Sequence, residues 1–390
     1  MKIDSSGILC SAKIDSNKAC YTFSSFVSLS NGSILATARG GNNKDSELEG
    51  IEFFRSDVEG EKWSEPWEPF KNVKIDNLKG SLKLCYLTEI SHSHIIASFL
   101  WIDRTSIPGK ELFNADTEGC LPMKILIADS YDNGNTWSKL RKVQLPKDIG
   151  PPSLTNPIMK LPNGKLIMSI ENNKDYYDES KWYQKNIFIC SSDNGKTWSK
   201  PYLAAGDETG RIFNWDLSCG VNKNGTITSF AWTYDSAKKT FLNIHQRISN
   251  DEGKTWSQPK DLNISDQPSH PALLKNGKVV LAWVDRFKNQ SIKVRVSDNL
   301  NAHFDEISEV TIFNQKKIKQ NSKELGGLLA DMNIWSFGLP YADVLQSGKV
   351  LVFYYAGNDK KMDLHWIRLK FDQYFMVIAF CKKLIVSKKS

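Results

Sequence analysis

The chain has 390 residues, of which 40% are apolar and 24% charged. This is ordinary globular usage and excludes a disordered or fibrous protein for the bulk of the chain. Fifty-one Lys+Arg against 44 Asp+Glu give a formal charge of +7. The basic residues are mostly scattered Lys rather than a concentrated Arg-bearing face, so no nucleic-acid partner is expected.

No apolar run approaches the ~20 residues of a membrane span, so no membrane partner is expected either. The start, Met1 to Ser6, lacks an apolar run of signal-peptide length. The seven Cys form no Cys-x-x-Cys pair and have no His at zinc-ligand spacing. A cytoplasmic protein with free thiols, no metal and no organic cofactor is the expectation.

Taken in chain order, short apolar strands follow turn signals. Asn31-Gly32 precedes a strand at 34–38, and the turn at 91–94 precedes one at 95–101. Asn163-Gly164 precedes 166–170, and Asn224-Gly225 precedes 227–232. Asn276-Gly277 precedes 279–284, and Ser347-Gly348 precedes 350–355. Asn-Gly before an alternating run is the strongest short hairpin signal.

A second element interleaves with these hairpins. Residues 130–137, 191–198 and 249–256 all fit Ser-x-Asp-x-Gly-x-Thr-Trp. A weaker copy spans Ser56 to Trp63, with Val58 in the Asp place, and a degraded one spans Ser297 to Phe304. The Asp accepts from backbone N–H groups, the Gly supplies positive φ, and the Trp anchors the next strand.

Six hairpins 52 to 71 residues apart suit four-stranded blades. The predicted fold is therefore all-β: a six-bladed β-propeller of four-stranded antiparallel blades. One domain is expected over 1–371, with the tail 372–390 a closing strand or an appendage. Two long insertions, at 111–119 and 315–334, fall before later strands, and the first is a candidate lid.

The Ser-x-Asp-x-Gly-x-Thr-Trp element resembles the Asp-box, or BNR repeat, of the sialidase superfamily, and hairpin order and spacing fit that six-bladed fold over nearly the whole chain. The resemblance implies that Asp132, Asp193 and Asp251 are peripheral fold staples. It also implies a site built from an Arg triad, a Tyr nucleophile paired with a Glu, and an Asp acid/base. At the first Arg position this chain has Thr22, and the strand Ser229 to Asp235 carries no Arg. At the Tyr position it has Leu339, with Tyr341 two residues on. The resemblance is thus to a divergent member rather than a typical sialidase.

Other matches point to a site. Asp45, in the loop after Arg39, matches the acid/base Asp, with Glu47 and Glu49 as competitors. Asp216 stands near the place of the Glu and is the candidate base or nucleophile. Strand ends expected at the pocket rim carry Trp101, Asp103 and Arg104, then Trp232, then Asp285 and Arg286, then Tyr355, with Trp335 before the last hairpin. Aromatic faces stack on sugar C–H surfaces and charged groups bind hydroxyls. Arg39, Arg104, Arg211 and Arg286 form a candidate anion site. His270 is a candidate ligand donor.

The expected function is a glycoside hydrolase on an acidic or decorated sugar, with two carboxylates as acid and base. The alternatives are a non-catalytic glycan- or protein-binding propeller, and a polysaccharide lyase-type activity using His270 with Tyr341 or Tyr355. The expected ligand is a carbohydrate, and the expected assembly a monomer or weak oligomer.

Overall fold

The computed structural model describes residues 1–57, 59–315, 335–358 and 360–371. The insertion at 316–334, the tail from 372 and Val58 of the first box lie outside the described residues.

All extended elements are β-strands, accompanied among the described residues by two single-turn 3-10 helices. The six expected hairpin strands all form. They run Ile34–Gly41, His94–Asp103, Leu166–Asn172, Ile227–Asp235, Val279–Asp285 and Val350–Gly357. Each is slightly longer than its apolar core, because the ladder continues through the polar strand end that faces the axis. Almost every residue of these strands is buried. A strand buried on both faces needs apolar residues without strict alternation, as their sequences have.

The strands form five hydrogen-bonded sheets, four of five strands and one of seven, rather than six separate blades. The seven-stranded sheet joins the first and last described strands. Strands Cys20–Ser28, Ile34–Gly41 and Gly50–Ser56 meet Phe337–Val344, Val350–Gly357 and Met362–Lys370 through one parallel bridge, Cys20 to Met362. Strand Lys2–Cys10 then pairs along Met362–Lys370, so the first and last segments share one sheet.

Apolar clusters fill the spaces between successive sheets. Leu35, Phe53 and Phe99 lie in one, Ile96, Leu154 and Ile170 in the next, and Ile167, Phe188 and Ile227 in a third. Phe230, Val279 and Phe304 follow, then Val280, Val352 and Ile367. Phe26, Ile34 and Phe353 complete the ring within the seven-stranded sheet.

The three full boxes fold alike. In 130–137 the Ser130 hydroxyl donates to Asp132 Oδ1 at 2.8 Å and accepts from the Gly134 amide at 2.8 Å. Asp132 also accepts from the Thr136 amide at 2.8 Å and hydroxyl at 2.6 Å. Asp193 and Asp251 repeat this pattern. Each box packs on the preceding unit: Trp137 meets Phe53, and Trp256 meets Phe188. Gly253 sits at φ 82, and a Cβ there would lie 2.7 Å from the Phe188 ring. Only glycine fits that approach.

Candidate functional site

The innermost strands share an irregularity that builds the site. Register breaks fall between Thr22 and Ser25, Leu82 and Leu84, Trp215 and Ser218, and Gly338 and Tyr341. Phe23, Asp216 and Leu339 sit within three of them at φ 48, 47 and 45. A bulge leaves one residue out of the ladder and re-aims its side chain. Here it turns Phe23, Lys83, Asp216 and Leu339 toward the axis, where they line the central cavities.

Three adjoining cavities of about 80, 80 and 70 Å³ lie there. Asp216 and Phe23 line all three. Lys44, Asp45, Arg286, Trp335 and Tyr355 line the first. Glu111, Leu112 and Phe113 of the first long insertion also line it. That insertion is tied across to the neighbouring sheet, where Asn114 Nδ2 donates to the Tyr176 carbonyl at 2.9 Å.

Asp45 is held as an anion. Its Oδ1 takes a 2.5 Å bond from Arg104, and its Oδ2 a 2.6 Å bond from the Leu112 amide. Lys83 Nζ lies 3.8 Å away. Burial raises its pKa, but Lys83, Arg104 and the Leu112 amide outweigh burial and hold it below the ordinary value. Beneath it, Arg39 donates to Glu49 at 2.7 Å, while Lys83 and Arg104 reach Glu49 at 3.4 and 3.1 Å. Arg39 is thus a floor residue holding the loop that carries Asp45, not a rim residue.

Asp216 has the opposite environment. Burial raises its pKa, and a Gln267 hydrogen bond and the Arg286 charge pull it back without cancelling the rise. Gln267 links the two residues. Its Oε1 accepts from Arg286, its Nε2 donates to Asp216 Oδ2. Arg has no acceptor, so the amide can take only this orientation. A proton on Asp216 therefore sits on Oδ1. Arg286 also pairs with Asp266 at 3.1 Å and lies over the Trp335 ring at 4.0 Å.

Besides Gln267, two further site residues carried no motif. Glu171 lines the second cavity, and its Oε2 accepts the Asp216 amide at 3.1 Å. Burial and then the nearby Asp216 push its pKa well above the ordinary 4.5. Its signal was position: it is the penultimate residue of the strand Leu166–Asn172, one place before the strand-end position that Asp103, Asp235 and Asp285 occupy in theirs. Lys44, in the Asp45 loop, donates to the Trp335 carbonyl and lies 4.9 Å over the Tyr355 ring. Burial, aided by Arg286, Lys83 and Arg39, brings its pKa down to about 7.

Glu171 gives a pH prediction. A carboxyl whose folded-state pKa is raised contributes stability in full below its unfolded value near 4.5, and loses it as pH rises through the folded value. Glu171→Gln is therefore expected to flatten the fall in urea midpoint on the alkaline side. A pH–stability slope above pH 5 identical to that of the wild type would refute this.

Four expected rim residues lie away from the cavities. Trp101 is fully buried between sheets, with its indole N–H 3.4 Å from the Val73 carbonyl. Asp103 caps a turn through the Thr105 and Ser106 amides at 2.7 and 3.0 Å. Asp285 does the same for Lys288 and Asn289. Arg211 forms a fork with Asp235 at 2.9 and 2.6 Å. Asp103 and Asp285 are thus strand-end turn caps. Trp232 lines the second cavity. His270 and Tyr341 line the third, stacked at 4.9 Å and 8°. Both are buried, and burial lowers the His270 pKa to about 3.

Among the described residues no group of three or more His, Cys, Asp or Glu gathers as a metal site would need. No helix among them is long and apolar enough to cross a membrane.

No curated protein sequence matches this chain. Solved structures do. One from Dyadobacter fermentans, of unknown function, has a TM-score of 0.70 at 18% identity, covering 95% of this chain and all of its own. The intramolecular trans-sialidase of Ruminococcus gnavus, solved with oseltamivir carboxylate, has a TM-score of 0.61 at 13% identity, with 94% and 99% covered. The NanB sialidase of Streptococcus pneumoniae has a TM-score of 0.63 at 12% identity, with 94% and 70% covered. These likenesses show an all-β propeller-like fold of the sialidase kind. The BNR repeat-like domain family matches residues 32–350, most of the chain. The chain therefore belongs to the BNR repeat-like domain family, with the boxes and the ring of sheets that this match implies.

Proposed function

We propose that the chain is a glycan-active protein and, more specifically, a glycoside hydrolase that takes a single acidic or decorated sugar into the axial cavities. We read the seven-stranded sheet as two blades joined at the Cys20–Met362 bridge, which makes six blades in all. Residues 1–371 form one domain on that reading.

One observation carries the proposal. Two carboxyl groups line one cavity in opposite states, Asp45 held ionised and Asp216 pushed toward its protonated form. Such a split marks an acid and its charged partner. The roles are the reverse of those expected from the sequence. Asp216 Oδ1 gives its proton to the glycosidic oxygen as the bond to the anomeric carbon breaks, the Asp45 carboxylate faces the positive charge that develops there, and a water that adds to that carbon returns a proton to Asp216. Arg286 supplies a cationic group that an acidic sugar needs, and Lys44, with its pKa about 7, adds a second when protonated. Trp335 supplies an aromatic face. Small enclosed cavities suit a terminal sugar rather than a long chain. Relatives of the fold named as sialidases support a glycan ligand.

The test is a release assay with aryl glycosides of sialic, uronic and neutral sugars. Turnover of one acidic sugar is expected. A folded protein that turns over none of them would refute the hydrolase.

One observation favours a binding protein instead: both Asp45 oxygens are already engaged, by Arg104 and by the Leu112 amide. On that reading a sugar binds in the axial cavities and is not cleaved. The stacked His270–Tyr341 pair is the juxtaposition a lyase would use. Its burial and face-to-face packing favour a structural role.

A further inference from the structure

Away from the axial site lies a groove of about 760 Å³. It lies between the sheet of strands Ile212–Val221 and Ile227–Asp235 and the sheet of strand Val279–Asp285. Its origin is the degraded fifth box. In the intact boxes an Asp ties the turn, a Gly permits close approach, and a Trp covers the neighbouring unit. In Ser297–Phe304 the Asp place holds Asn299, the Gly place Asn301 and the Trp place Phe304. The Ser297 hydroxyl bonds the Asn299 carbonyl at 2.8 Å instead of a carboxylate. Phe304 still packs on Phe230 at 5.9 Å, as Trp256 packs on Phe188. The smaller ring and the bulkier Asn301 leave the junction open.

The lining is chemically one-sided. Five Asn side chains and three Lys line the groove, and no carboxylate does. Lys223 and Lys275 are exposed on its two rims. Lys260 reaches across to the Asn301 carbonyl at 3.0 Å. Gln246, also in the lining, is only 2% exposed, and its Nε2 is committed to Thr228 and to the Leu300 carbonyl. Its buried Oε1 has no hydrogen-bond partner among the described residues. A buried acceptor without a donor is uncommon and costs free energy. Leu273 and Leu300 give the groove an apolar floor.

Amide side chains offer a donor and an acceptor each, which matches vicinal hydroxyls. Ammonium groups without carboxylates match anionic substituents. We propose that this groove is a second carbohydrate site, distinct from the axial cavities, that binds an acidic oligosaccharide. Sugar hydroxyls pair with the Asn amides, and carboxylate substituents lie between Lys223 and Lys275. The proposal does not depend on catalysis at the axis.

The test uses the full chain, titrated by calorimetry with tetragalacturonate and with its methyl-esterified form. Saturable binding of the acid is expected, with the ester at least tenfold weaker. Lys223→Glu/Lys275→Glu, on exposed turns, is expected to raise Kd at least tenfold. Asp216→Asn, at the axis, is expected to leave it unchanged. The proposal is overturned by absence of saturable binding, by equal affinity for the ester, or by full affinity in the charge-reversed variant. Loss of binding in Asp216→Asn alone would also overturn it, by moving the ligand to the axial cavities.

Discussion

Asp216→Asn is expected to lower kcat on the cleaved sugar by about 10²- to 10⁴-fold, with substrate affinity changed far less. The reason is local. Asparagine keeps the shape and can still accept from Gln267 Nε2, so the Arg286–Gln267 chain stays in place. What is lost is the proton on Oδ1. Because burial raises the Asp216 pKa, its acid form persists to higher pH than that of an ordinary aspartate. Wild-type activity should therefore fall on the alkaline side as pH rises through that raised value. Steady-state kinetics across pH decide the matter: a variant within tenfold of wild type in kcat removes Asp216 as the acid.

Arg39→Leu carries the second large effect, on stability. Arg39 and Glu49 are both wholly buried and paired. Removing one partner of a buried pair leaves an uncompensated charge, at a cost of about 3–5 kcal/mol. Lys83 and Arg104 also touch Glu49, which places the expected loss toward the lower end. Arg39 further donates to the Asn43 carbonyl at 2.5 Å, so the loop that presents Lys44 and Asp45 should loosen with it. Arg39→Leu/Glu49→Leu should lose further stability, since Lys83 and Arg104 are then left with Asp45 as their one shared carboxylate. Urea denaturation of both variants tests this, and a single-variant loss under about 1 kcal/mol would contradict a structural role for the pair.

The hairpins and boxes were legible because their signals are local. Asn-Gly turns and the Ser–Asp–Gly–Thr contacts span at most a handful of residues, and the same residues satisfy them in the folded protein. Asp45, Asp216, Arg286, Trp335 and Tyr355 were also legible as axial residues, because strand ends and inner strands must converge there. Trp101, Asp103, Arg211 and Asp285 were not separable from them. Their alternation along the strand is the same, and only the neighbouring turn decides that Asp103 and Asp285 cap amides instead of facing a ligand. Glu171, Gln267 and Lys44 had no motif, since each acquires its role from a residue on another sheet or a distant loop.

The sequence alone determined the repeat: its period, its turn chemistry, its apolar strands and hence an all-β propeller-like fold. Each of those properties is a short-range balance of backbone conformation and burial. The tertiary structure decided the rest. Ring closure set Asp45 among Arg104, Lys83 and the Leu112 amide, and buried Asp216 beside Gln267 and Glu171. Two aspartates identical in sequence terms thereby hold their protons differently, because the solvation and charge that set a pKa come from whichever sheets the fold brings alongside.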